Sequence, residues 1–109
     1  MTALVEVPPG HVGSPPHRHS GPVFGYVTEG ELLFELEGEE PRSIEAGQAF
    51  WEPGGDLVHW LAANARDDVW TRFVVVMACA PDVPMLVYLT DDERAARQSR
   101  RHPNATGWR

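Results

Sequence analysis

Short runs of alternating apolar and polar residues, separated by Gly and Pro, fill the first ninety residues of this chain. The clearest run, residues 31–37, places Leu32, Phe34 and Leu36 on one face and mostly acidic residues on the other. A period of two is typical of a strand with one buried face. Many short strands with little helix predict an all-β sandwich or barrel. The remaining predicted strands are residues 3–7, 17–19, 23–28, 42–45, 49–52, 58–62, 69–79 and 85–89.

One segment departs from the strand pattern. The run from Thr90 to Glu93 has the spacing of a capping box, arginines follow, and Pro103 closes the segment. We therefore predict a short surface helix over residues 91–101, with its arginines facing solvent, and a loose tail over 102–109 that carries Trp108. Residues 1–109 then form a single domain, with the barrel at about residues 3–90.

The charge balance disfavours two classes of partner. The chain has sixteen acidic residues, nine arginines and no lysine, which gives a formal charge of −7. Phosphate contact needs clustered positive charge, so we expect neither a nucleic-acid partner nor a membrane partner. No secretory leader or bilayer-spanning apolar run is visible, which favours a cytoplasmic location. The sole cysteine, Cys79, ends an apolar run and is predicted to be a buried, inert thiol.

Three histidines are the candidate site. On an extended strand alternate side chains share a face, so His17 and His19 point the same way, about 6–7 Å apart along the strand. His59 follows the turn Pro53-Gly54-Gly55 and is placed to complete a metal-binding face. Neutral imidazole binds most divalent transition metals, so we expect one ion of Fe, Ni, Zn, Mn, Cu or Co. The competing interpretation keeps the histidines as polar pocket residues without metal.

Two sequence frames around these histidines resemble the motifs of the cupin family. The first is formed by Gly10, His17, His19 and Gly30. The second is formed by Gly47, Pro53, Gly55, His59 and Asn64. The resemblance covers about residues 3–90 and implies a small single-domain cupin. Its expected features are a jelly-roll (double-stranded β-helix) barrel, a metal at the barrel mouth, and a homodimer.

One departure from the first motif concerns the metal ligands. Val23 stands where the family has a glutamate ligand, which leaves three imidazoles unless another carboxylate substitutes. Glu52 is the nearest candidate, and it or a bound water is also the first candidate for a catalytic general base. The alternative places Glu52 at a strand end facing solvent, and the sequence does not decide which face it takes.

The expected function is metal-dependent chemistry on a small oxygenated organic molecule. The favoured reaction is ring or C–C cleavage by a dioxygenase. The first alternative is non-redox isomerase, cyclase or lyase chemistry. A second alternative is a non-catalytic module that senses or sequesters a small ligand. Arg72 is expected to pair with Glu35 or another strand acid, and binding of a substrate carboxylate is the alternative. Trp60 is expected to face a second sheet or a dimer interface. His11 and His102 are interpreted as loop residues.

Overall fold

This computed structural model of the protein describes residues 1–105, and Trp108 lies outside the described residues. The chain forms strands and then a short C-terminal helix, α1 (Asp91–Arg97), followed by a 3₁₀ turn at Gln98–Arg100. In the described part, no helix is both long and apolar enough to cross a membrane. The strands are β1 (Thr2–Val7), β2 (His17–His19), β3 (Val23–Glu29), β4 (Glu31–Leu36), β5 (Arg42–Glu45), β6 (Ala49–Glu52), β7 (His59–Asn64), β8 (Thr71–Met77) and β9 (Leu86–Tyr88).

The strands build two antiparallel sheets, which confirms the predicted all-β jelly-roll. One sheet has the order β1-β8-β3-β6 and the other the order β5-β4-β7-β2-β9. The main apolar core takes side chains from both sheets, including Val27, Phe50 and Phe73 from the first and Leu32 and Phe34 from the second. The alternation predicted for β4 follows from this arrangement, because its apolar face looks into that core.

On the face of β4 opposite the core, the C-terminal segment covers Glu35, while Glu31 and Leu33 are partly exposed. Glu35 is fully buried there and accepts hydrogen bonds of 2.8 and 2.6 Å from Nε and Nη2 of Arg101. The Arg101 guanidinium also lies 4.6 Å from the ring centre of Trp60, which packs with Val58 and Leu89 in a second small core. Trp60 thus faces the C-terminal segment of its own chain rather than a second sheet or another copy.

Two expectations about the arginines and the helix need correction. The helix begins at the predicted capping box, where Thr90 Oγ1 accepts from the Glu93 amide, but it ends at Arg97. Arg97 does not face solvent: it donates to Glu37 Oε2 at 2.9 Å and to Asp56 Oδ1 at 3.1 Å. Arg97 and Arg101 together hold the C-terminal segment against the barrel, so the prediction of a solvated arginine face was wrong for these two residues, whereas Arg100 is exposed.

The strand β8 ends earlier than predicted. It stops at Met77, and Cys79 lies beyond it as an exposed free thiol, so the prediction of a buried thiol was wrong. Earlier in the same strand, Arg72 forms an ion pair with Glu6 at 2.7 Å and another with Glu29 at 2.6 Å. Other strand acids therefore pair with Arg72, and Glu35 does not.

Candidate metal centre

The three predicted histidines meet inside the barrel. His17 on β2 is the cross-strand partner of His59 on β7, and His19 lies two residues further along β2 on the same face. All three are buried, with ring centres 4.7 Å apart for His17–His19 and 5.0 Å for His17–His59. One nitrogen from each ring lies within 4.8 Å of the others. For comparison, the nitrogens of a tetrahedral site with metal–nitrogen bonds of 2.0–2.1 Å lie about 3.3 Å apart.

Backbone carbonyls orient two of the rings. Pro15 O lies 2.7 Å from His17 Nδ1, and Leu61 O lies 2.9 Å from His59 Nε2. A carbonyl only accepts hydrogen bonds, so these nitrogens carry the protons. The lone pairs then reside on His17 Nε2 and His59 Nδ1. Metal-binding histidines commonly donate their second N–H to a carbonyl in this way, which fixes the tautomer that can bind the ion.

Glu52 lies beside the histidines and not in solvent. Its side chain is buried, with Oε1 at 3.1 Å from His59 Nδ1 and Oε2 at 3.6 Å from His19 Nε2. The interpretation of Glu52 as a solvent-facing strand-end acid was therefore wrong. The position follows from pairing in the sheet, because Glu52 on β6 is the direct partner of Val23 on β3. The carboxylate thus comes from the strand next to the position where the first motif lacks its glutamate.

The contact between Glu52 and His59 is the main evidence that the site binds a cation. In the neutral form of His59 that can bind a metal, Nε2 donates to Leu61 O, and the lone pair of Nδ1 then lies 3.1 Å from Oε1 of Glu52. Nδ1 of His59 and Nδ1 of His19 are buried and make no hydrogen bond within the described residues. A buried carboxylate beside a buried lone pair is costly, and a positive charge shared by Glu52 and His59 Nδ1 removes that cost. The donor set therefore fits a metal ion.

The acid–base properties of the site agree with that fit. Burial, followed by the charge of His59, lowers the pKa of His17 to about 4. Burial also lowers the pKa of His19. Burial alone would raise the pKa of Glu52, but the polar contact with His59 and electrostatic interaction with the neighbouring imidazole groups lower it overall. At neutral pH His17 and His19 are unprotonated and Glu52 is ionised, which are the forms that bind metals.

A small cavity of about 90 Å³ opens in front of the histidines. Its polar lining consists of the three histidines, Glu52 and Ser14. The rest of the lining is apolar and comes mostly from the facing sheet: Val5, Val23, Phe50, Ala62, Phe73, Val75, Met77 and Leu86. A second cavity of about 250 Å³ shares Val5, Ser14, Ala62 and Phe73 with the first and reaches the surface at His11. His11 is an exposed loop residue, as predicted.

Asn64, the last residue of the second motif frame, has a structural position. Its amide nitrogen donates to the carbonyls of Val7, Pro8 and Val69, and its oxygen accepts from the Thr71 hydroxyl at 2.7 Å. These bonds tie the end of β7 to the end of β1 and the start of β8. Asn64 therefore fixes the strand that carries His59 without contacting the histidines.

Comparison with known proteins agrees with the fold. Residues 3–77 match a family model described as a cupin domain. No curated protein matches the sequence. Among solved structures, an oxalate oxidase in complex with the substrate analogue glycolate is 28% identical, with a TM-score of 0.65, over 81% of this chain and 45% of its own. The chain thus spans less than half the length of that oxidase.

Two further structures share the fold at lower identity. The DMSP lyase DddQ from Ruegeria pomeroyi DSS-3 is 23% identical, with a TM-score of 0.64, over 80% of this chain and 41% of its own. A cupin-like protein from Thermotoga maritima is 22% identical, with a TM-score of 0.64, over 89% of this chain and 72% of its own.

Proposed function

This chain belongs to the cupin family, and we propose that it binds one divalent transition metal ion through His17, His19 and His59, with Glu52 beside them. The main support for this proposal is that three imidazole nitrogens lie within 4.8 Å of one another. They lie next to the buried carboxylate of Glu52, and no arginine or lysine lines the same cavity among the described residues. Fe, Ni, Zn, Mn, Cu and Co all suit this donor set, because neutral imidazole and carboxylate accept each of them.

We further propose that the protein is an enzyme acting on a small oxygenated organic molecule, with dioxygenase-like chemistry first. When bound, the ion supplies a Lewis acid and open positions for oxygen ligands. Glu52 is the single carboxyl group that lines the cavity, so it is the residue that holds or moves a proton there. Phe73, Val75 and Met77 line the same cavity and exclude water from the reacting groups.

The likeness to an oxalate oxidase supports oxidative chemistry on a small oxygenated acid, although the chain spans only part of that protein. The lyase likeness is below 25% identity and supports only the shared fold. Non-redox isomerase, cyclase or lyase activity and non-catalytic ligand binding are therefore the alternatives that the experiments separate. The cytoplasmic location stays a prediction.

Metal content tests the proposal directly. Untagged protein, analysed by elemental analysis, should carry close to one equivalent of a transition metal, or take one up when Fe, Ni, Zn, Mn, Cu or Co is added. A ligand that binds only the folded state raises its melting temperature, so the metal that fits should do so. Less than about a tenth of an equivalent, with no rise in melting temperature for any of the six ions, would contradict the proposal. Oxygen uptake with small oxygenated acids then separates dioxygenase activity from the alternatives.

We also propose a homodimer, formed through the outer face of the β1-β8-β3-β6 sheet. Five large apolar side chains are about half exposed on that face: Leu4, Phe24, Tyr26, Trp51 and Val76. Cross-strand pairing makes them neighbours, and the rings of Phe24 and Trp51 stack at 6.2 Å. Their exposed area is on the order of 500 Å², most of the roughly 800 Å² that each partner buries in a stable interface. A flat apolar sheet face is matched by a second copy of itself.

Sedimentation tests the dimer. Wild-type protein should sediment as a dimer, and Tyr26→Glu should shift it to a monomer because it buries a charge in the interface. Val87→Glu, at an exposed position of β9 in the other sheet, is the matched control and should remain dimeric. A monomeric wild type, or dimeric Tyr26→Glu protein, would contradict the proposal.

A further inference from the structure

The outer side of β2 contacts the start of α1. Arg18 lies between His17 and His19, so its side chain points away from the metal cavity. Arg18 Nη2 lies 2.9 Å from Glu93 Oε2 in an ion pair. The other carboxylate oxygen of Glu93 accepts from the Thr90 amide at 3.0 Å, as part of the capping box. One side chain thus closes the first turn of α1 and holds the middle residue of β2.

Leu89, shortly before α1, adds two contacts to the strands that carry the histidines. Its amide donates to the carbonyl of Pro16, the residue before β2, at 3.0 Å. Its side chain packs with Val58 and Trp60, the residues on either side of His59. Leu89 therefore contacts the immediate neighbours of His59 and the beginning of β2.

The end of α1 holds the turn that leads into β7. Arg97 Nη1 donates to Asp56 Oδ1 at 3.1 Å, and Arg97 Nη2 donates to the Asp56 carbonyl at 2.9 Å. In the same turn, the Gly55 amide donates to the carbonyl of His19 at 2.7 Å. His59 begins β7 directly after this turn. Arg97 therefore restrains a turn that is joined to two of the three candidate ligands.

The pairing of β2 within its sheet is limited. This strand has three residues, and the pair His17–His59 registers it with β7. Its other neighbour, β9, is also three residues long and forms the edge of the sheet. A strand with so few pairings opens more easily than the central strands of a barrel. Contacts on the outer side of β2 therefore help to set where its histidines lie.

We propose that residues 89–97, which we name the helix segment, position the three histidines for metal binding, with Arg18 and Arg97 as positioning residues. This inference rests on the proposed metal site. A bound ion fixes the imidazoles relative to one another, and strands that are already held in place lose less freedom when it binds. Such coupling is reciprocal, so a docked helix segment raises the metal affinity and a bound metal holds the helix segment on the barrel.

Metal affinity tests the first direction of the coupling. In the double variant Arg18→Gln with Arg97→Gln, affinity for the ion that wild-type protein takes up should fall about tenfold, because the imidazoles are held less firmly. Competition with a metal-sensitive dye measures the affinity, and circular dichroism verifies the fold. A lower stability alone does not change the affinity of a protein that stays folded. Unchanged affinity in the folded double variant would overturn the inference.

A single variant and two controls complete this test. Arg18→Gln alone should weaken metal binding about two- to fivefold, the scale of one exposed ion pair, and it replaces the double variant if that does not fold. Arg72→Gln breaks partly exposed ion pairs on the facing sheet. Glu35→Leu with Arg101→Met removes a pair on β4, which carries no candidate ligand. Both controls should keep the wild-type affinity within about twofold, and a control as weak as the double variant would overturn the inference.

Proteolysis tests the reverse direction. The chain has no lysine, so trypsin cleaves it at arginines, of which Arg94 and Arg97 lie in α1. Bound metal should slow cleavage at these two residues at least about fivefold relative to metal-free protein. Cleavage at Arg42, an exposed residue on the edge strand β5, reports global stabilisation and any effect of the metal on trypsin itself. No slowing in α1, or equal slowing at Arg42, would overturn the inference.

The inference and the proposed function fail in different ways. Wild-type protein that binds metal without protecting α1 retains the metal site and loses the coupling. Wild-type protein that takes up no metal overturns the proposed function itself.

Discussion

Two carboxylates are buried in this small barrel, and their surroundings differ in one respect. Glu35 on β4 is fully buried but meets the Arg101 guanidinium in two hydrogen bonds. Glu52 on β6 is buried to a similar degree but meets imidazoles, two of which carry nitrogens without a hydrogen-bond partner in the described part of the chain. The first carboxylate has its counter-charge within the chain. The second is arranged to share a cation that the chain itself does not supply.

This difference teaches how to separate structural from functional buried charge. Burying an ion is costly unless it is paired. At Glu35 the pairing is complete and holds the C-terminal segment on the barrel, so its role is stability. At Glu52 the pairing is incomplete and lies at a cavity, which is the pattern of a binding site. Variants around Glu52 should therefore change metal binding, and variants around Glu35 should change the free energy of unfolding.

The largest expected effect is at the imidazole cluster. His59→Ala removes the ring that faces both His17 and Glu52, so it should abolish metal binding and activity. The barrel should stay folded, because His59 takes part in no ion pair that holds the C-terminal segment. Metal content and circular dichroism check the two halves of this prediction. Activity equal to wild type in His59→Ala protein would contradict the mechanism.

Breaking the ion pair at Glu35 should lower the stability of the protein without changing its metal binding. Arg101→Met leaves Glu35 buried without its partner, and breaking a buried pair costs about 3–5 kcal/mol. Urea unfolding should show this loss while metal stoichiometry at saturation is unchanged. The double variant Glu35→Leu with Arg101→Met removes both charges and should recover most of the stability. A double variant as unstable as Arg101→Met would show that packing against Trp60, not charge, dominates.

Acid should destabilise the metal-free protein through the histidines. The pKa of His17 is about 4 in the folded protein against 6.5 for an ordinary histidine. Between these values the unfolded chain binds more protons, so stability falls as pH decreases from 6.5 to 4, by about 3 kcal/mol in total. Urea unfolding at several pH values should show this slope, and His17→Gln should reduce it. A bound metal competes with protons, so metal-loaded protein should keep its stability to lower pH.

The strands and the pair of His17 and His19 were predictable because both depend on local spacing, whereas His59 was predicted from the second motif frame. Alternation marks β4, and the pair His17 and His19 shares a face wherever that strand lies. Partners distant in sequence were not predictable. Glu35 lies on the outer face of β4 as its alternation requires, yet residues near the C-terminus cover that face.

The face of Glu52 was ambiguous for a related reason. Phe50 and Trp51 are both large and apolar, so either parity of β6 satisfies the sequence pattern. The structure buries Phe50 and exposes Trp51, which turns Glu52 inward with Phe50. Trp51 points outward because the outer face of this sheet is itself apolar, and the sequence of β6 alone does not show this.

The smallest expected effect concerns the strand that supplies the carboxylate. Glu52→Gln keeps the size of the side chain but removes its charge, and it should weaken metal binding about 10- to 100-fold. Val23 is its cross-strand partner and lines the same cavity, so Val23→Glu adds a carboxylate next to the existing one. Val23→Glu alone should bind metal more tightly with altered reactivity, and in the Glu52→Gln background it should restore affinity to near the wild-type value. Competition with a metal-sensitive dye measures all three. If the double variant stays folded but its metal affinity remains as low as that of Glu52→Gln, the prediction is contradicted. The position of the carboxylate, and not only its charge, would then set the metal affinity.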